Sequence, residues 1–314
     1  MADGRFAPSP TGPLHVGNLR TALLAWLYAR VDGGRFLVRI EDLDPVASRE
    51  ELVTEHLDDL AALGLDHDGP VVRQSDPAVR IRHEDAIARL EADGALYPCF
   101  CSRREIREAT QAAHGPLPEG AYPGTCRDLT AADRAARAAE NAENADRPPS
   151  LRVRAGGATV TVHDRLHGEH AGVVDDFVVR RGDGVPAYNL AVVADDAHQG
   201  IVEVVRGRDL LEGTPRQAWL CDRLGLPRPR WVHVPLVVSP GSERLAKRHG
   251  SVTRRALAAD GLDSSALLGL MATSLGLASA GERVDPALLL DRFDPDAVPL
   301  EPWVFDLPDQ EPSR

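Results

Sequence analysis

The order of hydrophobic and polar positions near the N-terminus predicts alternating strands and helices. A short apolar run predicts a strand over Gly4–Ala7, and apolar residues at helical spacing predict a helix over Asn18–Ala29. A second strand is predicted over Arg35–Ile40, after a glycine pair that ends the connection. This order is typical of a parallel sheet covered by helices.

Two more helices follow. Ser48 and Glu51 form a predicted capping box for a helix that runs to Leu63. Asp76–Pro77 opens the next helix, and Gly94 ends it. We therefore predict an α/β fold built on a doubly wound parallel sheet.

Residues 95–149 interrupt this pattern and are predicted to be an insertion. The sequences YPCFC (97–101) and YPGTC (122–126) are followed by a polar segment, 131–146, which is expected to be an exposed helix or partly disordered. Strand-like alternation resumes at Leu151.

The remainder of the chain returns to regular elements. The pattern predicts a helix over Thr214–Leu224 and a strand at WVHVPLVV (231–238). Beyond Arg255 it is helical, with helices predicted over Ser264–Leu277 and Pro286–Arg292.

Composition indicates a globular protein, since 43% of the residues are hydrophobic and 27% are charged. No apolar run approaches the length of a membrane span, and the N-terminus lacks a signal-peptide pattern, so we expect a cytoplasmic protein without a membrane partner. In that reducing compartment the four cysteines are expected to be metal ligands or core residues. Cys221 is expected to be a buried helix residue.

Charge is unevenly distributed along the chain. The net charge of −12 argues against non-specific nucleic-acid binding. Residues 41–68 carry ten acids and one base, whereas residues 201–255 carry eleven bases and five acids. The second region would attract a phosphate backbone, although both regions could be ordinary solvated faces. Of the 36 Lys and Arg residues only Lys247 is a lysine, which can reach a phosphate as a point charge.

The stretch Arg5–Asn18, RFAPSPTGPLHVGN, carries the first candidate chemistry. It predicts a strand, a tight loop and a helix N-terminus, where free backbone N–H groups favour an anion. His15 adds a ring donor, and Gly17 lets a ligand approach the backbone closely. An ordinary loop rich in turn formers would show the same spacing.

Four separated stretches resemble one family, in the same order. RFAPSPTGPLHVGN resembles the HIGH region of the class I glutamyl-tRNA synthetases, and RIEDLDP (39–45) resembles their second signature. AYNLAVVADD (187–196) with VRGRDLLEGTPRQ (205–217) is similar to their amino-acid pocket, and RLAKR (244–248) stands where their KMSKS loop belongs. The CxC and YPGTC sequences most closely resemble the branch of glutamyl-Q tRNA(Asp) synthetases.

This resemblance implies activation of L-glutamate with ATP and magnesium, followed by transfer of the glutamyl group to queuosine in the anticodon of tRNA(Asp). It implies a Rossmann-type catalytic domain over residues 1–250, with a zinc-binding insertion at about 95–175. A small helical, stem-contact-like subdomain is expected over residues 251–314, without an anticodon-binding domain. We expect a monomer with no obligate protein partner.

The family motifs also imply roles for individual residues. The HIGH-like motif comprises Pro8, Ser9, Pro10, Thr11, Gly12, Pro13, Leu14, His15, Val16, Gly17 and Asn18. The KMSKS-like motif comprises Arg244, Leu245, Ala246, Lys247 and Arg248. The expected glutamate pocket comprises Arg5, Phe6, Ala7, Pro8, Ser9, Glu41, Tyr188 and Arg206. The expected ATP-binding residues are His15, Gly17, Asn18 and Lys247, of which His15 and Lys247 are catalytic.

Some of these positions depart from the family pattern or allow a structural role. In the KMSKS-like motif Arg244 replaces the first lysine and Ala246 replaces the serine, so Lys247 is the one charged position that is identical to the family pattern. In the pocket, Arg5 and Arg206 can each hold a carboxylate, and Glu41 is expected to bind the substrate ammonium. Alternatively, Arg5 and Glu41 could form an ion pair at the strand ends, and Tyr188 could be a core aromatic.

Cys99, Cys101 and Cys126 supply three thiols to a predicted structural zinc site, which needs four ligands. Ligand chemistry alone favours His114 as the fourth ligand, because imidazole binds zinc far more commonly than phenolate. The family pattern implies Tyr122 instead, and we adopt Tyr122.

Three other functions stay open at this point. The chain could be a truncated glutamyl-tRNA synthetase that charges tRNA(Glu), or a synthetase-like paralogue that binds nucleotide or RNA with little or no catalysis. It could also be a small-molecule adenylyltransferase. The altered KMSKS-like motif favours the paralogue, whereas RIEDLDP and VRGRDLL argue against the adenylyltransferase.

Overall fold

The computed structural model describes residues 1–102, 104–106, 121–145, 148–240 and 252–306. The helices in these ranges are α1 (Val16–Val31), α2 (Glu50–Ala62), α3 (Pro77–Ala92), α4 (Ala131–Ala145), α5 (Tyr188–Gln199), α6 (Thr214–Leu224), α7 (Arg254–Ala259), α8 (Ser264–Ser274) and α9 (Pro286–Arg292). The strands are β1 (Gly4–Phe6), β2 (Phe36–Ile40), β3 (Val72–Arg73), β4 (Leu96–Cys99), β5 (Ser150–Val153), β6 (Ala158–Asp164), β7 (Gly168–Val174), β8 (Val178–Arg180), β9 (Glu203–Gly207), β10 (Arg230–Val234), β11 (Val237–Val238) and β12 (Trp303–Val304). A short 3₁₀ helix, Arg208–Gly213, links β9 to α6.

A seven-stranded sheet forms the centre of the fold, in the order β3-β2-β1-β9-β10-β6-β7. Adjacent strands are parallel except β6 and β7, which form an antiparallel hairpin at one edge. The chain extends the sheet from β1 to β2 on one side and later returns to place β9 on the other side of β1. Ligands bind at such a change of direction, beyond the carboxyl ends of the strands. The predicted α/β fold with a doubly wound parallel sheet is confirmed.

Successive side chains of the central strands pack into different cores. Val38 of β2 and Val205 of β9 belong to the core that includes α1, whereas Leu37 and Val204 belong to a core on the opposite face. Burial on both faces explains why these strands are continuous apolar runs in the sequence. None of the helices in the described ranges has the length and apolarity that crossing a bilayer requires.

A second sheet, β4-β5-β8, is antiparallel and begins within the segment predicted to be an insertion. β4 ends at Cys99, which pairs with Ser150 of β5, so the first thiol lies at the end of an ordered strand. α4 is the helix expected in the polar segment. The β6–β7 hairpin belongs to the main sheet, because Asp164 pairs with Trp231 of β10.

One detail predicted from the pattern is wrong, and one strand of the structure was not predicted. α2 begins with Arg49 as its N-cap and has no side-chain cap, so Ser48 and Glu51 do not form a capping box. The Ser48 backbone N–H donates to the Asp44 carbonyl (3.0 Å) in the preceding turn instead. The pattern did not predict β7, since its sequence, GEHAGVV, mixes glycine and charge with few apolar positions.

Candidate active site

A cavity of about 420 Å³ lies where the carboxyl ends of β1, β2 and β9 approach the N-terminus of α1. Its lining includes all the residues expected to bind glutamate: Arg5, Phe6, Ala7, Pro8, Ser9, Glu41, Tyr188 and Arg206. It also includes most of the HIGH-like motif: Ser9, Thr11, Gly12, Pro13, Leu14, His15, Gly17 and Asn18. The KMSKS-like motif (244–248) and His114 lie outside the described residues.

His15 is the N-cap of α1 and is held by a reciprocal pair of hydrogen bonds. The Gly17 backbone N–H donates to His15 Nδ1 (3.1 Å), and the His15 backbone N–H donates to Asn18 Oδ1 (3.1 Å). This is a capping box in which histidine takes the place of serine or threonine. Because Nδ1 accepts, the neutral ring carries its proton on Nε2, as a donor suited to a phosphate oxygen.

Gly17 leaves room for that imidazole. A Cβ atom at position 17 would lie 2.9 Å from His15 Cε1 and 3.0 Å from His15 Nδ1. The helix start is also joined to the residues that follow the KMSKS-like motif, since Val16 N–H donates to the Val252 carbonyl (3.0 Å) and His15 forms a β-bridge with Thr253. Val252 and Thr253 therefore lie beside the HIGH-like motif.

Arg206 is buried at the end of β9 and donates three hydrogen bonds to the protein. Its Nε donates to His233 Nε2 (2.9 Å), and its two terminal nitrogens donate to Gln217 Oε1 (2.8 Å) and Thr214 Oγ1 (2.8 Å). Since a guanidinium has five N–H groups, two are left by these contacts, and the Tyr188 side chain lies beside them. Arg206 also lines the cavity, so these groups can serve a bound carboxylate.

Arg5 also lines the cavity and is held by a carboxylate. Its Nε donates to Asp196 Oδ1 (3.1 Å), which also accepts from the fully buried Arg39 (2.7 Å). Although burial opposes it, the charges of Arg5 and Arg39 lower the pKa of the Asp196 carboxyl. Asp196, which the sequence analysis did not single out, therefore stays ionised and fixes Arg5.

The alternative roles considered for Glu41 and Tyr188 do not fit the structure. Arg5 pairs with Asp196, while the ion pair of Glu41 is with Arg39 (3.3 Å). Burial raises the pKa of the Glu41 carboxyl although Arg39 and Arg5 oppose the shift. A further positive charge beside Glu41 would therefore stabilise its carboxylate form. Tyr188 is 44% exposed at the cavity and is not a core aromatic.

His56 of α2 is a further residue that the motifs did not indicate. Its ring is fully buried, and its Nε2 lies 2.9 Å from the Gly12 carbonyl, to which the Nε2–H tautomer donates. Burial lowers the pKa of the imidazole, so the ring is neutral at neutral pH. The only sequence signal was a histidine at a helical core position of α2. The His56 side chain fixes the glycine-proline turn of the HIGH-like motif.

The three predicted thiol ligands form a cluster beside Tyr122. The Sγ atoms of Cys99, Cys101 and Cys126 all lie within 4.8 Å of one another. Tyr122 Oη is 3.4 Å from Cys99 Sγ and 3.6 Å from Cys101 Sγ, and it accepts from the Cys126 backbone N–H (2.8 Å). Arg152 stacks on the Tyr122 ring at 3.8 Å.

This donor set fits one tetrahedral metal ion. Zn–S bonds of about 2.3 Å place tetrahedral sulfurs about 3.8 Å apart, and Cys101 Sγ and Cys126 Sγ are 3.5 Å apart. Hydrogen bonds from Cys101 and Cys126 lower the pKa of the Cys99 thiol, whereas hydrogen bonds within the cluster raise the pKa of the Cys101 thiol and burial raises the pKa of Tyr122. Cys221 is buried in α6, as expected, and does not belong to this cluster.

Residues 2–284 match the family described as class I tRNA synthetases (E and Q), catalytic domain, and the chain belongs to this family. The cavity at the carboxyl edge of the sheet and the HIGH-like motif at its rim fit that assignment, which makes the protein a ligase. The family resemblance inferred from the sequence is confirmed.

Individual relatives show which members of this family the chain is similar to. A glutamyl-Q tRNA(Asp) synthetase from Nocardia farcinica is 55% identical over 302 residues, which cover 96% of this chain and 92% of the relative. Glutamate–tRNA ligase 1 from Halorhodospira halophila is 41% identical over 312 residues, which cover 96% of this chain and 64% of the relative. The crystal structure of the glutamate–tRNA synthetase from Elizabethkingia anophelis superposes with a TM-score of 0.80 at 25% identity, over 97% of this chain and 68% of that one.

Proposed function

We propose that this chain activates L-glutamate with ATP and transfers the glutamyl group to queuosine in the anticodon of tRNA(Asp). The observation that carries the proposal is the cavity, in which the guanidinium groups of Arg5 and Arg206 and the carboxylate of Glu41 line one small space. Glutamate has the complementary charges, two carboxylates and one ammonium. The 55% identity to a glutamyl-Q tRNA(Asp) synthetase supports the acceptor.

Activation needs no protein nucleophile. The α-carboxylate of glutamate attacks the α-phosphorus of ATP, the bond to pyrophosphate breaks, and glutamyl-adenylate forms. The protein positions the two reactants and stabilises charge on the phosphate oxygens, with magnesium bound to the nucleotide. The glutamyl group then passes from the adenylate to queuosine, and AMP leaves.

We assign these tasks to individual residues of the cavity. His15 Nε2–H and the N-terminus of α1 bind the phosphates of ATP, a role supported by the capping hydrogen bond to His15 Nδ1. Glu41 is the partner for the substrate ammonium, and Arg206 is a partner for a carboxylate. Lys247, the only lysine of the chain, is assigned to the leaving pyrophosphate by the KMSKS-like motif.

A structural zinc ion completes the proposal. Cys99, Cys101, Cys126 and Tyr122 would hold it, in a closed site that leaves no position for a substrate. Its contribution is to stabilise the fold of the segment around β4, and none of the chemical steps depends on it.

A second candidate function is the charging of tRNA(Glu). The 41% identity to a glutamate–tRNA ligase favours it, because activation of glutamate is common to both reactions. A catalytically weak paralogue, the third candidate, is supported by Arg244 and Ala246, which replace the first lysine and the serine of the KMSKS pattern.

Transfer of labelled glutamate separates these candidates. Purified protein is incubated with ATP, labelled glutamate and, in parallel, tRNA(Asp) with queuosine, tRNA(Asp) without it, and tRNA(Glu). We expect label only on the queuosine-containing tRNA(Asp). Label on tRNA(Glu) would establish the second candidate, and label on tRNA(Asp) regardless of queuosine would overturn the proposed acceptor.

Substitution of the lone lysine tests activation separately from transfer. Lys247→Ala is expected to nearly abolish glutamate-dependent pyrophosphate exchange, since Lys247 is the only lysine of the KMSKS-like motif. Arg255→Ala, which removes an exposed arginine near that motif, is the control and is expected to exchange normally. Exchange by Lys247→Ala at the wild-type rate would contradict the role assigned to Lys247.

Metal analysis of purified protein tests the zinc ion. We expect one zinc per chain, lost in Cys126→Ser with a fall in thermal stability. Cys221→Ser, which changes a thiol outside the cluster, is the control and is expected to keep its zinc. Metal-free wild-type protein, with Cys126→Ser as stable as wild type, would reject the site.

A further inference from the structure

Arg206 is held by neutral groups alone among the described residues. Its three acceptors are an imidazole nitrogen, an amide oxygen and a hydroxyl, supplied by His233, Gln217 and Thr214. No carboxylate of the described ranges forms an ion pair with it, whereas Arg5, which lines the same cavity, pairs with Asp196. The groups that bind Arg206 directly therefore bring no negative charge into contact with it.

His233 is kept in the state that this arrangement needs. Its Nδ1–H donates to Asp164 Oδ2 (2.6 Å), and its backbone N–H donates to the same oxygen (3.1 Å). Asp164 Oδ1 accepts from the backbone N–H groups of Leu166 (3.1 Å) and His167 (3.0 Å). With all four bonds donated to it, Asp164 is an anion that fixes the ring proton on Nδ1 and leaves His233 Nε2 as an acceptor.

The fold brings these residues together across three strands. Arg206 and His233 are register partners on β9 and β10, and Asp164 ends β6, the next strand. Asp164, His233 and Thr214 are completely buried. None of these three is placed to be a general acid or base in activation, which needs none, so their polar contacts require another explanation.

We propose that Asp164, His233, Thr214 and Gln217 are positioning residues that hold Arg206 through neutral acceptors, so that its full charge is directed at a carboxylate of the amino-acid substrate. This inference rests on the proposed binding of glutamate. It makes the neutrality of the acceptors, and not only their geometry, a determinant of glutamate affinity.

The titration of the groups agrees with this arrangement. Burial, with a smaller contribution from the charge of Arg5, lowers the pKa of the Arg206 guanidinium from its ordinary value, and the opposing effects of Tyr188 and Asp196 do not offset it. Burial also lowers the pKa of His233 to about 4, against the opposing effect of Asp164, so the ring is neutral at neutral pH.

Gln217→Glu tests the role of charge directly, because it is isosteric and places a carboxylate within hydrogen-bonding distance of Arg206 Nη1. We expect KM for glutamate in pyrophosphate exchange to rise about 10- to 100-fold, the range for a lost charged hydrogen bond, with KM for ATP and the thermal midpoint unchanged. Asn189→Ala is the matched control, since it removes the other contact of Gln217 (3.2 Å) without adding charge. It should change KM for glutamate by less than about twofold.

A second pair of variants tests the imidazole. Asp164→Asn no longer fixes the proton on Nδ1 and is expected to raise KM for glutamate with little change in KM for ATP. His233→Gln places an amide oxygen near the position of Nε2 and is expected to keep most of the wild-type affinity. These variants decide the question if Gln217→Glu does not fold.

Calorimetric titration of wild-type protein with L-glutamate separates the two proposals. Wild-type protein that neither binds glutamate nor supports exchange with it would overturn the proposed function. Wild-type binding together with unchanged glutamate KM in Gln217→Glu and Asp164→Asn would overturn the present inference and leave the function standing.

Discussion

Two groups of residues hold arginines at the cavity, one through carboxylates and the other through neutral groups, and they are called the Arg5 side and the Arg206 side. The Arg5 side consists of Arg5, Arg39, Glu41, Asp195 and Asp196. The Arg206 side consists of Arg206, Asp164, His233, Thr214 and Gln217. Both sides are buried and rich in hydrogen bonds, so they differ in charge compensation and not in burial.

This difference predicts that the Arg5 side contributes mainly to protein stability and the Arg206 side mainly to ligand binding. Charges on the Arg5 side compensate one another within the protein, and removal of one leaves its partner buried and unpaired. On the Arg206 side the acceptors are neutral, so loss of one leaves no unpaired ion, and the uncompensated charge is available to a ligand. Mutations on the two sides are therefore expected to act on different measurements.

The largest expected effect is the loss of stability in Asp196→Asn. The change leaves Arg5 and the fully buried Arg39 without their shared carboxylate, which costs about 3–5 kcal/mol for a buried ion pair. Thr214→Val on the Arg206 side removes a neutral acceptor and is expected to cost about 1–2 kcal/mol. Denaturant unfolding measures both, and equal losses would contradict the comparison.

On both sides, the residues that lie in local sequence motifs were predicted from the sequence. Arg5, Glu41 and Arg206 each follow from a short pattern, and the parallel sheet explains why distant patterns meet, because the carboxyl ends of its strands share one edge. Asp196 was within a quoted stretch, but no spacing indicates that it bridges to a partner 191 residues away.

Asp164 and His233, which support Arg206 from outside the quoted motifs, were not predictable from the chain alone. Asp164 and His233 lie on β6 and β10, which become neighbours only after the intervening helices and β9 have been placed. A histidine within WVHVPLVV is a polar residue in an apolar strand, and that was the one signal available. Its meaning depends on Asp164 and Arg206, which are brought to it by tertiary structure.

The next prediction concerns the pH dependence of stability and tests the Arg206 side. The pKa of His233 falls from its ordinary value of 6.5 to about 4 because of burial, with Asp164 opposing and Arg206 and His167 adding to the shift. The unfolded chain therefore takes up a proton first as the pH falls. The contribution of the neutral ring is complete above pH 6.5 and is lost between pH 6.5 and 4, to an extent of up to about 3 kcal/mol.

Denaturant unfolding across that pH range measures this contribution. His233→Gln, which does not titrate, should show a flatter dependence than wild type. His56, whose pKa is also lowered by burial, adds to the slope in the same direction, so His56→Gln is the control that removes its share. Identical slopes in wild type and His233→Gln would contradict the neutral state assigned to the ring.

Arg206→Ala is expected to weaken glutamate binding roughly a hundredfold, about 3 kcal/mol, because it removes the uncompensated charge and the two N–H groups left for a ligand. Its effect on stability should be smaller than that of Asp196→Asn. Calorimetric titration with L-glutamate measures the affinity. Arg35→Ala, at an exposed arginine away from the cavity, is the control and is expected to bind glutamate normally.

The smallest expected effect is at the N-terminus of α1, where His15 lines the cavity. Gly17→Ala would place a Cβ 2.9 Å from His15 Cε1, so the ring must move and its Nδ1 loses the bond from the backbone of residue 17. We expect kcat/KM for ATP in pyrophosphate exchange to fall about tenfold, with KM for glutamate unchanged. Stability should be kept, since alanine favours a helix over glycine by about 1 kcal/mol. Gly213→Ala, where a Cβ meets nothing within 4 Å, is the control. Unchanged kcat/KM for ATP in Gly17→Ala would show that the capping geometry of His15 does not position the ring for the nucleotide.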